Sequence, residues 1–231
     1  MELFSASHWS VLLLVAAVNL LIYNFRIKIR GSILAAVIPV IISVLLILSA
    51  LSLQAWDLAH GIWTVQGSLP LHLCGISLPL CALLLLNKNY ALYEIVYFWG
   101  VGGAVQALLT PDTGYAFPHF IFFQFFISHG LIVTACLWVT FVDGFRPSWQ
   151  SVGKAFGATN LYMLVIAVFN YFTGSNYLYI CQKPKNPSLL SFLGPWPWYI
   201  LSLEVVCLLV YFVCCLPFIR FNFIIGRHKN S

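Results

Sequence analysis

Cys74 and two histidines, His72 and His129, are the residues whose types could carry covalent chemistry in this chain. A free thiol has a pKa of ~8.5 and is mostly protonated at neutral pH, so it needs a base to become a nucleophile. An imidazole within reach supplies one. His72 stands two residues before Cys74, and on a regular helix positions two apart point to different sides. His129, from another helix, is therefore the better base for Cys74. Glu204 or Gln106 is available to orient it, and His72, Gln106 or Asn176 to stabilise an oxyanion. Metal chemistry is the competitor, since His72, His119, His129 and Asp112 or Glu204 are zinc or iron ligand types. No His-Glu-x-x-His or other local ligand motif appears, so neither a metal nor another cofactor is assigned.

The elements that must position these residues are membrane helices. Of 231 residues, 61% are hydrophobic and only 7% are charged. A soluble domain is about 25% charged, and this chain could not cover a water-facing surface. Lipid accepts an apolar exterior. Apolar runs fall at 9–23, 31–53, 68–86, 90–109, 118–142, 152–172 and 197–218. Most are near the ~20 residues that cross a bilayer as helix. The predicted fold is one all-α membrane domain, residues 1–231, with seven transmembrane helices.

The basic residues set its orientation. Nine of the eleven Lys and Arg residues, namely Arg26, Lys28, Arg30, Lys88, Arg146, Lys154, Arg220, Arg227 and Lys229, flank alternate helix ends. The opposite side holds only Lys183 and Lys185. The positive-inside rule places the nine in the cytosol, the N-terminus outside and the C-terminus inside. The net charge of +5 thus reflects topology, not a nucleic-acid groove. Glu2 precedes the first run and basic residues follow it, which reads as a retained helix and not a cleaved signal. The seven cysteines lie mostly in apolar segments, and only Cys181 falls in a loop. The loop between the last two helices, about 173–196, contains Pro184, Pro187 and Pro195 and is predicted to lack continuous helix.

Topology assigns depth. At 1.5 Å per residue, His72 and Cys74 lie roughly 6–9 Å below the outer end, His129 ~16 Å and Glu204 ~10 Å. Gln106, Asp112, His119 and Asn170 belong to the same half. Ionisable groups there are costly and mark function by default, whereas amides such as Gln106, Gln124, Asn160 and Asn170 also serve as interhelical glue. Glu94 and Asn160 fall nearer the cytosolic half. Gly100, Gly102 and Gly103 lie mid-membrane with no preceding strand, and read as a close helix contact rather than a nucleotide loop.

Several ordered strings carry a family resemblance: LPLHLCG (69–75), WGVGGAVQALLTPD (99–112), FPHF with SHG (117–130), GSNYLYICQKP (174–184) and LGPWPWY (193–199). Over helices three to seven the chain resembles the YwaF-like integral membrane family, whose relatives include the eukaryotic transmembrane protein 164. The resemblance implies seven helices and a cysteine-dependent acyltransferase acting on lipids, with the nucleophile at Cys74 and the histidine at His129. Membrane lipids are then the expected partners and a bacterial cell membrane the expected location. A lipid hydrolase uses the same groups. A transporter, or a small-molecule-binding membrane protein with a polar intramembrane site, is the alternative, with Glu204 and His129 titrating along a path. A non-catalytic scaffold predicts that His72, Cys74 and His129 are replaceable.

Overall fold

A computed structural model describes residues 3–184 and 192–227, with the side chains of the last helix described as far as Phe218. Glu2, Lys185, Pro187, Lys229 and the side chains of Arg220 and Arg227 lie outside the described residues. Those described form helices and loops with no strand. The helices are α1 (Ala6–Arg30), α2 (Leu34–Ala59), α3 (Leu73–Asn87), α4 (Tyr90–Leu109), α5 (Phe120–Asp143), α6 (Trp149–Thr173) and α7 (Trp198–Arg227). Six are long and apolar enough to cross a membrane; α3 is apolar but has only 15 residues, about 22 Å of rise.

Local chemistry explains the boundaries. Ser5 caps α1 through the His8 amide, and α1 runs past the predicted 9–23 to Arg30 because neither Gly nor Pro interrupts it before Gly31. Asn89 caps α4, and Ser148 and Ser151 form a reciprocal capping box on α6. The predicted third segment, 68–86, begins instead at Leu73. Pro70 cannot donate to a helix, and the Leu69 amide donates to the Tyr177 hydroxyl at 2.9 Å.

α4 threads the centre of the bundle. It carries a π-turn at Phe98–Ala104, where its glycines meet three neighbours. A Cβ on Gly100 would lie 2.5 Å from Cys136 Sγ of α5, one on Gly102 3.0 Å from Val210 of α7, and one on Gly103 3.8 Å from Cys74 Sγ of α3. The small residues therefore act as the close-packing surface read from the sequence.

The basic residues gather at one end. Arg30 donates to the Val142 and Phe141 carbonyls at 2.5 and 2.8 Å, closing the end of α5. Lys88 pairs with Asp143, and Lys154 with the buried Glu94, each at 2.6 Å. Ser151 also donates to Glu94 at 2.8 Å. Glu94 is thus a satisfied structural carboxylate, as burial of a charge demands. At the other end α1 is tied to α4 by His8, whose Nε2 donates to the Leu108 carbonyl at 2.8 Å.

Candidate active site

The candidate site lies at the end opposite the basic residues. A cavity of about 540 Å³ opens among α2, α3, the end of α4, α5 and the turn at Tyr177–Tyr179. Cys74, His72 and His129 all line it, as does Asp112. Gln54 and Asp57 of α2, Thr110, Gln124 and Ser128 complete its polar wall.

Cys74 stands in the first turn of α3, directly after its N-cap, His72. Among the described residues no acceptor takes the amide hydrogens of Leu73, Cys74 or Gly75; the first bond of the helix runs from the Ile76 amide to the His72 carbonyl at 3.1 Å. The positive end of the helix dipole therefore lies beside the thiol, where the unused amides can stabilise an oxyanion. Gly75 is required here: a Cβ would come within 2.9 Å of the Pro70 backbone.

The facing of Cys74 and His129 follows from their helix registers. Cys81 and Cys136 bring α3 and α5 together, with sulfurs 4.0 Å apart. Cys74 precedes Cys81 by seven residues, and His129 precedes Cys136 by seven. Each site residue thus lies two turns, about 10.5 Å, along the same helix face toward the same cavity.

The two histidines hold opposite tautomers. His129 Nδ1 lies 2.7 Å from the Phe125 carbonyl, which only accepts, so Nδ1 carries the proton and Nε2 keeps a lone pair. His72 Nδ1 accepts from the Leu178 amide at 3.3 Å, which leaves its proton on Nε2. One imidazole thus keeps an Nε2 lone pair and the other an Nε2–H.

A scaffold of tyrosines and Asn170 sets His72. Asn170 donates to the Tyr177 carbonyl at 2.9 Å and accepts the Tyr177 amide at 3.0 Å. The Tyr177 hydroxyl donates to the Val65 carbonyl at 2.8 Å, and its ring packs edge-on to His72. Tyr162 donates to the Leu71 carbonyl at 2.9 Å, and Gln54 to the Ser68 carbonyl at 2.5 Å. Tyr179 packs on His72 with ring centroids 5.0 Å apart. Burial first, and then the Asp112 carboxylate, push its phenol above the ordinary value, so it stays neutral at the cavity mouth.

Other sequence candidates fall elsewhere. Glu204 accepts from Asn160 at 2.9 Å between α7 and α6 and does not line the cavity; Phe125, not Glu204 or Gln106, orients His129. The carbonyl four residues back is the acceptor a helical histidine reaches first. Gln106 is exposed and donates to Thr110 at 2.9 Å. Asn176 organises its own loop, accepting from the Cys181 and Gln182 amides at 3.1 Å each. His119 is the N-cap of α5, accepting from Ile121, and stacks on Tyr115 at 4.0 Å. Asn170 acts on the site through Tyr177 alone. Among the described residues no three His, Cys, Asp or Glu side chains gather as a metal-binding group.

Residues that the sequence reading did not single out are Gln54, Asp57, Ser128, Tyr162 and Tyr177. The spacing of Gln54 and Asp57, three apart at the end of an apolar helix, was a usable signal. The tyrosines gave none, because aromatic residues are common throughout the chain.

Comparison with curated proteins and with solved structures found no match. A family model does match, from residue 3 to residue 215, and so covers the cavity and every helix that builds it. By that match the chain belongs to the TMEM164 family.

Proposed function

We propose that the protein is a lipid acyltransferase or lipid hydrolase that works through a Cys74 thioester. The observation that carries this reading is the meeting of Cys74 at a helix N-terminus, the free Nε2 of His129 and the Nε2–H of His72 on one cavity. His129 takes the thiol proton, and Cys74 sulfur attacks an acyl ester carbonyl. The oxyanion is stabilised by the α3 amides and His72. Collapse breaks the ester C–O bond, His129 returns the proton to the departing lipid oxygen, and a thioester remains. An acceptor hydroxyl or water, deprotonated by His129, then attacks it and regenerates the thiol. The relation to transmembrane protein 164 supports acyl transfer to a lysolipid, and water as acceptor gives hydrolysis.

The same proposal includes seven membrane crossings, with the short α3 as the seventh, the basic end in the cytosol and the cavity facing outward. The asymmetry of the basic residues supports it. The YwaF-like affiliation and a bacterial cell membrane location belong to it too, on the motif resemblance.

The test uses full-length protein in lipid nanodiscs containing a phospholipid with an alkyne-tagged acyl chain. Wild type is expected to acquire alkyne that neutral hydroxylamine releases. Cys74→Ala loses it, whereas Cys207→Ala retains it. Undiminished labelling of Cys74→Ala removes Cys74 as the nucleophile.

One observation favours a small-molecule path as the second reading: Asp57 and Asp112 line the cavity together with His129. Liposome flux that Asp112→Asn abolishes and Cys74→Ala leaves intact would favour it.

A further inference from the structure

A second groove, of about 610 Å³, runs along the bundle between α1, α2 and α5. Its walls include Val15, Val18 and Ile22 of α1, Ile42 of α2, and Phe126 and Gly130 of α5. It follows α1 from Val11 to Ile22, about 16 Å, and α5 from Phe122 to Trp138, about 24 Å. The groove exists because α1 is pinned at three levels instead of packed along its length. Of its 25 residues only His8, Asn19 and Ile29 are buried. His8 ties the top to Leu108, Asn19 ties the middle to Thr134 at 3.2 Å, and Arg30 ties the foot to the end of α5.

Two further observations point to what fills it. First, among the described residues just two buried side-chain polar atoms lack a partner, Trp138 Nε1 and Asn19 Oδ1. Both belong to this seam: Trp138 forms part of the groove wall, and Asn19 bonds Thr134, which lines it. A buried unpaired donor is costly, and helix packing has not satisfied this one. Trp138 lies five residues, about 7 Å, from the end of α5.

Second, the foot of the groove is positive and uncompensated. Arg26 follows Ile22 by one turn on the same face, stacks over the Tyr23 ring at 4.1 Å and is half-buried. One of its nitrogens donates to the Tyr23 carbonyl at 2.5 Å, and no other described acceptor uses the remaining donors. Lys28 and Arg30 stand beside it. The described carboxylates at this end, Glu94 and Asp143, are already paired with Lys154 and Lys88. Arg26 and Lys28 therefore have no described carboxylate partner.

The geometry points to a binding site for an anionic phospholipid: phosphate on Arg26 at the foot and one acyl chain along the groove. The site is separate from the Cys74 cavity and rests on nothing about acyl transfer. A phosphate on a guanidinium gains charge-assisted bonds, and a basic residue at the membrane surface adds about 1 kcal/mol of attraction to anionic lipid.

Full-length protein in nanodiscs with phosphatidylglycerol or phosphatidylcholine, each carrying the same photoactivatable acyl chain at equal mole fraction, tests this. Crosslinks mapped by mass spectrometry are expected on 15–22 and 127–134, with phosphatidylglycerol favoured at least about fivefold. R26Q brings that ratio to near one. Equal labelling by the two lipids in wild type, or an unchanged ratio in R26Q, overturns the proposal. So does a Leu14→Cys variant that crosslinks to a second copy in place of lipid labelling, because the groove is then an interface between chains.

Discussion

His129 illustrates how one backbone contact decides the chemistry available to a residue. With Nδ1 2.7 Å from the Phe125 carbonyl, moving the proton to Nε2 would set an Nδ1 lone pair against an oxygen that only accepts. The ring therefore keeps an Nε2 lone pair, as the proposed base requires. His129→Gln keeps a hydrogen-bonding side chain of similar reach but removes the exchangeable base. Thioester formation is expected to fall about 10²–10⁴-fold, read as the rate of alkyne transfer in nanodiscs, with the melting temperature little changed. His72→Gln tests the opposite role. Loss of one oxyanion donor costs about 10²–10³-fold in rate, while reactivity of Cys74 toward a small maleimide should stay within a few-fold of wild type. A drop in both readouts together would assign His72 to folding. Asn170 is legible as an expensive intramembrane amide, yet its partner is a backbone seven residues on, and no spacing rule predicts that. Glu204 shows the matching failure. Depth placed it with His129, but depth says nothing about azimuth, and on α7 it turns to Asn160.

At the scale of the helix, hydropathy located the seven long described helices and matched α4 at both ends, but misjudged the extent of α1 and the start of α3. The apolar count cannot see that α1 continues through Asn24 and Arg26, because polar residues at a membrane boundary remain helical while no breaker intervenes. It also cannot see that the residues before Leu73 are tied to Tyr177 and Tyr162, which shortens α3 and leaves Cys74 on a helix N-terminus. That shift of five residues sets Cys74, already the candidate nucleophile by sequence, in the first turn of α3. Gly75 guards this arrangement. Gly75→Ala forces a Cβ against the Pro70 backbone, a contact with no flexible end to yield. About 1–3 kcal/mol of destabilisation is expected, measured as a lowered unfolding midpoint, together with loss of transfer activity. Gly100→Ala makes the same kind of overlap with a side chain, Cys136 Sγ. Its cost should be partly recovered in the double variant Gly100→Ala/Cys136→Ala, and full additivity of the two single effects would refute that contact.

The whole molecule is a bundle polarised from end to end. One end carries the cavity with Asp57 and Asp112, and the other carries paired Glu94 and Asp143 among a surplus of Arg and Lys. This polarity was readable in the sequence because topology is written in loop charges, whereas the packing order that decides which polar residues share a cavity is not. The polarity also makes orientation measurable with one native residue. Cys181 is an exposed free thiol in the loop after the Tyr177–Tyr179 turn, at the cavity end. Cys74 is less accessible, and the remaining cysteines lie within helices. With the basic end in the cytosol, a membrane-impermeant maleimide added to intact cells labels Cys181, and Cys181→Ser abolishes most of that signal. Lys28→Cys placed in the Cys181→Ser background should label only after the membrane is opened. Labelling of Lys28→Cys in intact cells, with Cys181 protected until lysis, would invert the molecule. The cavity would then open to the cytosolic leaflet, and the substrate lipid would have to be sought there.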